Sequence, residues 1–367
     1  MAAMSLAEDS FSLALAAAEA GELARAETAF RRVIGDRPDH LEALRGLAAV
    51  LRGQGRGEEA EALEAEARRI ESSDFAKIAA QLIRLGRHAS ARRPLERALE
   101  LDPGSGAALI LAGSLARIDG DFALAAEYYA RAQVLDPGDS DVAAAVQVLT
   151  GKPLEARAEA EMPVVVPFAR LAGFLDAEAH AAVMAFAQEN LASFQVSQVL
   201  HGMDSATDSR VRSSRVAMQP EDIAASFKPR VIAALPGVFA RLGYEPFEVA
   251  KIELQMTAHL DGDFYSQHND NSHGHRKGHD SDGRRISFVY YFCREPKRFT
   301  GGELRLFDTD LRRDAFSEQA YSRIEPDDNS IVFFPSAAMH EVGRRKMQSS
   351  DPADGRFTLN GWLHPKA

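Results

Sequence analysis

Cysteine is almost missing from this sequence. Its 367 residues hold one, Cys293, which excludes an intramolecular disulfide framework and any cysteine-rich zinc or iron–sulfur centre. No uninterrupted apolar run of about 18 residues occurs, so no transmembrane helix is expected. Residues 1–20 contain neither Lys nor Arg, and Glu8 and Asp9 come early, which is unlike the start of a secretory leader. A basic surplus is also missing: 43 Lys and Arg face 54 Asp and Glu, for a net charge of −11. Residues 1–150 hold 24 acids and 17 bases (−7), and the remainder holds 30 and 26 (−4). Neither half offers a basic face, so a nucleic-acid partner is not expected, nor is a membrane partner. The expected location is cytoplasmic. The acidic first half suits a basic partner or simply a solvated surface. With 46% hydrophobic and 26% charged residues, the chain is neither disordered nor fibrous. Its length suits two domains.

The first half repeats. Gly21, Gly55, Gly86 and Gly120 are spaced by 34, 31 and 34 residues. Five residues after each stands an alanine: Ala26, Ala60, Ala91 and Ala125. Nine after each stand Phe30, Glu64, Leu95 and Tyr129. Pro38, Pro103 and Pro137 follow three of the four glycines by 17. Small residues let two antiparallel helices approach, glycine turns the chain between them, and proline ends the second helix. The pattern resembles the tetratricopeptide repeat over residues 7–139. The fourth unit fits best, with Gly113, Gly120, Ala125, Tyr129, Ala132 and Pro137 at family positions. The second is degenerate, with Glu64 at the aromatic position and no closing proline. Ser140–Leu149 reads as a capping helix. Arrays of this kind bind a peptide or partner protein along one face, or else pack on a neighbouring domain or dimerise.

Gly151–Glu161 is polar and reads as a linker. Domain boundaries at 1–150, 151–161 and 162–367 follow. Beyond the linker the period changes. Pro163–Leu175, with Val164–Val166, reads as a strand leading into a turn. Asp176 is positioned to cap a helix over Ala177–Glu189, and a second helix is expected over Pro220–Leu242. Short β-type runs follow at Val249–Met256, Ile286–Cys293, Glu303–Phe307, Ser330–Phe334 and Arg356–Leu363. Turn signals at Asp261-Gly262-Asp263, Asp282-Gly283, Gly301-Gly302 and Asp354-Gly355 separate them. Helices followed by about eight strands suggest helices packed on one face of a β-sandwich or jelly roll.

His268-Asn269-Asp270 carries the chemistry. Residues two apart near a strand end point the same way, so one imidazole and one carboxylate can grip one ion. His340, after the apolar run Val332-Phe333-Phe334 and a turn, is the candidate third ligand. Two imidazoles and a carboxylate on one face form the facial triad of non-haem Fe(II) oxygenases and leave positions for a bidentate co-substrate and O₂. A keto-acid co-substrate needs a cation for its far carboxylate. Arg356 offers a bidentate fork, Thr358 lies two residues on along the same strand face, and Tyr291 could donate its phenol.

Residues 163–367 resemble the Fe(II)/2-oxoglutarate dioxygenases of the prolyl-hydroxylase type. The ordered series is Gly262-Asp263-Phe264-Tyr265, His268-x-Asp270, Asp282-Gly283-Arg284, Val289-Tyr290-Tyr291-Phe292, Gly301-Gly302-Glu303-Leu304, Val332-Phe333-Phe334, His340-Glu341-Val342, and Arg356 with Trp362. The resemblance implies Fe(II) on His268, Asp270 and His340. It also implies 2-oxoglutarate held by Arg356 with Tyr291, O₂ as oxidant, and ascorbate as an optional accessory. The architecture it implies is multidomain: all-α tetratricopeptide-like helical repeats followed by a double-stranded β-helix (jelly-roll) domain with supporting helices. The His340–Arg356 gap of 16 is longer than in many relatives. The inserted Gly343–Asp354 reads as a polar loop, which makes Arg344 and Arg345 rival carboxylate binders.

Other residues admit two readings. His259-x-Asp261 is a second His-x-Asp or only a turn. His273, His275 and His279 belong to a substrate lid, a chelating cluster or a solvated hairpin. Cys293 is a core residue or a nucleophile, and Trp362 is a core anchor or a substrate contact. Ser209–Val216 holds an anionic substrate group or forms a solvated strand edge. The expected activity is C–H hydroxylation of a protein or peptide, including prolyl, substrate recruited by the repeats. The rivals are a small-molecule hydroxylase and a non-catalytic interaction protein.

Overall fold

The computed structural model describes residues 2–158, 161–196, 199–201, 204–206, 212–217, 221–271, 283–313 and 315–366. The chain divides into two compact units. One is Met1–Ala112 with Val134–Asp136, and the other is Gly113–Gln133 with Pro137–Ala367.

The helices are α1 (Ala2–Glu19), α2 (Leu23–Asp36), α3 (Leu41–Gly53), α4 (Gly57–Arg84), α5 (His88–Leu101), α6 (Gly106–Asp119), α7 (Phe122–Leu135) and α8 (Ser140–Thr150). Gly21, Gly55, Gly86 and Gly120 turn the chain between them, each at positive φ, a conformation that glycine adopts without strain. In the first unit a Cβ on Gly46 would lie 2.5 Å from the ring of Phe30. In the second unit a Cβ on Gly113 would lie 2.7 Å from Tyr129. The aromatic of one helix thus fills the space that a glycine leaves on a neighbouring helix, Phe30 of α2 against Gly46 on the following α3 and Tyr129 of α7 against Gly113 on the preceding α6. The degenerate second unit has a structural consequence. With no proline to stop it, its second helix runs on into the next unit as the single 28-residue α4. The capping helix α8 forms where expected, with the Asp139 carboxylate accepting from the Asp141 and Val142 N–H groups.

The expected linker does not run free. Leu154 is buried, its N–H donates to Ala240 O, and Arg157 N–H donates to Gly243 O. Val164–Val166 is not a strand. These valines are in irregular backbone, and Val164 O accepts from Thr309 N; the strand begins later, as β1 (Ala169–Ala172). Asp176 caps α9 (Ala177–Glu189) by accepting from Ala179 N. The second supporting helix is α10 (Glu221–Leu242).

Short strands β2 (Gln195–Val196), β3 (Val199–His201), β4 (Asp204–Ala206), β5 (Arg212–Ser213) and β6 (Arg215–Ala217) lie between these helices. Then come β7 (Val249–His259), β8 (Phe264–His268), β9 (Ile286–Phe292), β10 (Phe299–Gly301), β11 (Leu304–Asp310) and β12 (Ala315–Ile324). The last are β13 (Ser330–Pro335), β14 (His340–Val342), β15 (Arg345–Met347) and β16 (Arg356–Pro365). A seven-stranded sheet runs β1-β13-β9-β16-β7-β6-β2, and a five-stranded sheet runs β12-β11-β14-β8-β5. From β7 onward the chain passes back and forth between the two sheets, which is the winding of a double-stranded β-helix.

Alternation divides the large sheet into two faces. Leu254, Met256, Phe288, Tyr290, Ile331, Phe333, Phe357 and Leu359 form one core with Phe227, Val231, Leu235 and Val238 of α10 and Val183 of α9. By length and composition alone α10 is apolar enough to cross a membrane, at a mean hydropathy of 1.3 over Ile223–Leu242. Here Ile223, Phe227, Val231, Leu235, Val238 and Leu242 are packed into that core, while Ile232 is exposed. The opposite face of the sheet carries the alternate residues, including His259, Ser287, Tyr291, Arg356 and Thr358.

Candidate metal and co-substrate site

His268 ends β8 and His340 begins β14, and the two are register partners across the small sheet. Their rings lie 4.1 Å apart. Asp270 follows two residues after His268, held by its N–H to Ser336 O at 2.9 Å. Its Oδ1 is 3.8 Å from His268 Nε2, and its Oδ2 is 3.6 Å from His340 Nε2. One donor atom from each of the three lies within 4.8 Å of the others.

The surrounding contacts fix which atoms are free. His268 Nδ1 is 2.8 Å from Ser266 O, and His340 Nδ1 is 2.9 Å from Ala338 O. A carbonyl only accepts, so each Nδ1 bears a proton and Nε2 is the ring nitrogen that each imidazole turns toward the shared space. Burial pushes the His268 imidazole well below its ordinary pKa, and His340 beside it acts in the same direction. Burial alone would raise the Asp270 carboxyl; His340, His268, the Ser287 hydroxyl and the Trp362 side chain together hold it below the usual range. Ser287 Oγ donates to Asp270 Oδ2 at 2.7 Å and lies 2.9 Å from Ser336 Oγ. Two imidazoles presenting Nε2 and one carboxylate, all oriented from outside, are a donor set that fits a divalent transition metal.

His268, Asp270, His340, His259, Arg212 and Arg356 line one cavity. Arg356 is buried and forms no ion pair with an acid among the described residues. Its Nη1 lies 3.0 Å from His259 Nδ1, and its Nε has no partner. Burial lowers its pKa. Thr358 and Tyr291 are register partners on β16 and β9. The Tyr291 ring centre lies 4.9 Å from the guanidinium carbon of Arg356. Both side chains are buried; among the described residues Thr358 Oγ1 has no hydrogen-bond partner, and Tyr291 OH has none of full hydrogen-bond geometry, its phenol oxygen being drawn only toward the Arg356 guanidinium. Neither lines the cavity directly. Three orphaned polar groups on adjacent positions of one sheet face make a cradle suited to a buried carboxylate.

The rival residues separate. Arg344 donates from Nη1 to Gly262 O at 2.7 Å and lies over the Phe264 ring, outside the cavity lining. Gly343–Asp354 is not a plain polar loop, because Arg345–Met347 forms β15 against β10. Arg345 is buried there and donates from Nη1 to His259 O, with its guanidinium over the Phe299 ring. Burial and the neighbouring Arg356 pull its pKa down to about 9. It props the end of β7 and does not face the cavity. His259 and Asp261 do not act as a pair: His259 meets Arg356, while Asp261 accepts from Met347 N. Cys293 is buried, and burial pushes its thiol up to about 12, so it is a core residue. Trp362 lines the cavity with Arg284 stacked 4.0 Å over its ring. Of Ser209–Val216, the part before Arg212 lies outside the described residues, as do His273, His275 and His279. Arg212 is not at a solvated edge. It lines the cavity, lies 4.8 Å over Tyr265, and donates to Ser214 Oγ. Sequence reasoning weighed His259 only as a metal ligand or a turn residue and missed its contact with Arg356, and it missed Ser287 and Ser336 altogether. For Ser287 the signal was its place two residues before Val289 on the inward face of a predicted strand.

Comparison with known proteins agrees with this site. Residues 254–364 match the 2OG-Fe(II) oxygenase superfamily, and residues 11–74 and 78–140 match the tetratricopeptide repeat. An uncharacterized PKHD-type hydroxylase of Synechocystis sp. is 44% identical over 145 residues, 39% of this chain and 46% of the relative. This chain therefore spans about half the length of the curated relative that it matches. Among solved structures, a Pseudomonas putida prolyl-4-hydroxylase aligns at 20% identity and a TM-score of 0.38, covering 55% of this chain and 94% of that one. YrrB, described as a tetratricopeptide protein with an unusual peptide-binding site, aligns at 21% identity and a TM-score of 0.22, covering 41% and 82%. A stretch similar to the 2OG-Fe(II) oxygenase superfamily thus follows stretches similar to tetratricopeptide repeats. The matched superfamily is described by Fe(II) and 2-oxoglutarate, and the donor set of His268, Asp270 and His340 fits that metal.

Proposed function

We propose that this chain is a hydroxylase that holds Fe(II) on His268, Asp270 and His340 and binds 2-oxoglutarate through Arg356, Tyr291 and Thr358. The observation that carries the reading is the buried Arg356 guanidinium. It has no acidic partner among the described residues and shares a cavity with two imidazoles that turn Nε2 toward the Asp270 carboxylate. A buried unpaired charge is costly, so the site suits an anion that arrives with the co-substrate.

When bound, Fe(II) and 2-oxoglutarate supply the oxidation, in which O₂, the keto acid and a C–H bond give succinate, CO₂ and a C–OH group. The chain's own residues do the rest. Arg356 forks onto the far carboxylate, and Tyr291 and Thr358 donate their hydroxyls to it. Ser287 and Trp362 hold the Asp270 carboxylate in its orientation. The carbonyls of Ser266 and Ala338 keep both imidazoles in the tautomer that presents Nε2. The apolar lining from Leu304, Phe334 and Val342 excludes water from the reacting space. The substrate in this reading is a protein or peptide, including a prolyl one, recruited by the repeats.

Anaerobic titration tests this. Full-length protein with one equivalent of Fe(II) should develop a visible charge-transfer band on adding 2-oxoglutarate. Arg356→Gln should still take up Fe(II) but need far more 2-oxoglutarate. Folded wild-type protein that binds neither would sink the reading.

A further inference from the structure

Arg117 lies in the last turn of α6, on the fourth repeat, and is fully buried while charged. Its Nη1 and Nη2 meet the two carboxylate oxygens of Asp308 at 2.7 Å each. Nη1 also reaches Ser322 Oγ at 3.2 Å, and Nε reaches Tyr129 OH at 3.3 Å. One guanidinium therefore ties α6 and α7 to β11 and β12. All of these residues belong to the second compact unit.

Asp308 stands at an irregular point, where the register of β11 against β12 shifts between Phe307 and Thr309. The residues on either side of it grip the backbone next to His340. Phe307 N donates to Met339 O at 2.9 Å, and Met339 N donates to Thr309 Oγ1 at 3.3 Å. Thr309 Oγ1 in turn donates to Phe307 O at 2.7 Å. Both backbone polar groups of Met339 are thus satisfied by residues 307 and 309. His340 follows directly, paired with Leu306 and with its Nδ1 on Ala338 O.

We propose that Arg117 is a positioning residue for the metal site. Through Asp308 it locks the irregular 307–309 segment, and that segment fixes the backbone from which His340 presents its imidazole. A bidentate Arg–carboxylate pair suits this task because it sets direction as well as distance. The fourth repeat is then a working part of the oxygenase unit. The inference rests on the metal-site reading of the preceding subsection.

The test uses full-length protein with Co(II) as the probe, reading its affinity, its visible spectrum and the thermal midpoint. Arg117→Met should bind Co(II) about five- to tenfold more weakly, at the low end of the effect of outer contacts on metal sites, with an altered spectrum. Arg117→Lys should recover part of the affinity. The double variant Arg117→Met/Asp308→Leu removes both buried charges. It should regain the wild-type thermal midpoint to within a few degrees while its Co(II) affinity and spectrum stay altered. If Arg117→Met fails to fold, Arg117→Lys and the double variant decide. Folded variants with Co(II) affinity within about twofold of wild type and an unchanged spectrum would overturn the proposal. So would a double variant whose affinity recovers along with its stability. Wild type that takes up no Co(II) contradicts the metal reading itself; wild type that binds beside unaffected variants contradicts only the role of Arg117.

Discussion

Arg356 directs Nη1 at His259 Nδ1, 3.0 Å away, so a buried guanidinium is paired with a neutral base where an acid would be expected. The two residues face each other across β16 and β7. His259 accepts the hydrogen bond without cancelling the charge, and the positive charge remains available to an anion.

Replacing Arg356 separates binding from stability. Arg356→Gln should weaken 2-oxoglutarate binding by about 2–5 kcal/mol, roughly 30-fold or more, with Fe(II) uptake unchanged. Without co-substrate the same variant should be at least as stable as wild type, because an uncompensated buried charge has gone. Calorimetric titration and a thermal melt check the two halves.

His259 predicts a pH dependence. Burial, then Arg356, Arg212 and Arg345, hold its imidazole well below the ordinary value of 6.5. Between the folded and unfolded values the unfolded chain binds the extra proton, so stability rises with pH. This contribution is complete above about pH 6.5 and is lost as pH falls, by at most about 1.4 kcal/mol per pH unit for one proton. His259→Asn keeps an acceptor near Nδ1 and cannot titrate. Its melting temperature should fall less than that of wild type between pH 7 and pH 5.

Tyr291→Phe and Thr358→Val remove hydroxyls that have no partner of full hydrogen-bond geometry among the described residues. Each should leave the free protein's stability unchanged or slightly raised, since no protein hydrogen bond is lost. Each should weaken 2-oxoglutarate binding by about 1–2 kcal/mol. Equal losses of stability and of binding would show that these groups only pack.

Truncation before α6 and truncation after α8 should differ. Deleting residues 1–105 keeps Arg117 on Asp308, whereas deleting residues 1–150 removes the ion pair together with the helices α6 and α7 that carry it. The longer deletion should give the lower denaturation midpoint.

The sequence made the site legible where chemistry demands particular residue types at close spacing. His268, Asp270, His340 and Arg356 came from such demands, and the structure gathers all four around one cavity. The glycine turns and closing prolines likewise placed the helices. What escaped was set by long-range packing. β12 (Ala315–Ile324) is rich in polar residues and shows no apolar run, because it lies at the edge of the small sheet. Val164–Val166 has strand-like composition, yet it is irregular backbone, with Val165 and Val166 buried. β15 looked like loop because its arginine is buried against an aromatic ring rather than solvated. Arg117 carried no local signal at all: its partner is 191 residues away.

Succinate formation from 2-oxoglutarate, with added Fe(II) under air, tests the central claim most directly. Turnover without a prime substrate is sufficient, so the substrate need not be known. Wild type should produce succinate, and His268→Ala, Asp270→Ala, His340→Ala and Arg356→Gln should each produce little or none. Succinate at the wild-type rate from the His340→Ala or Asp270→Ala protein would contradict the assignment of the site.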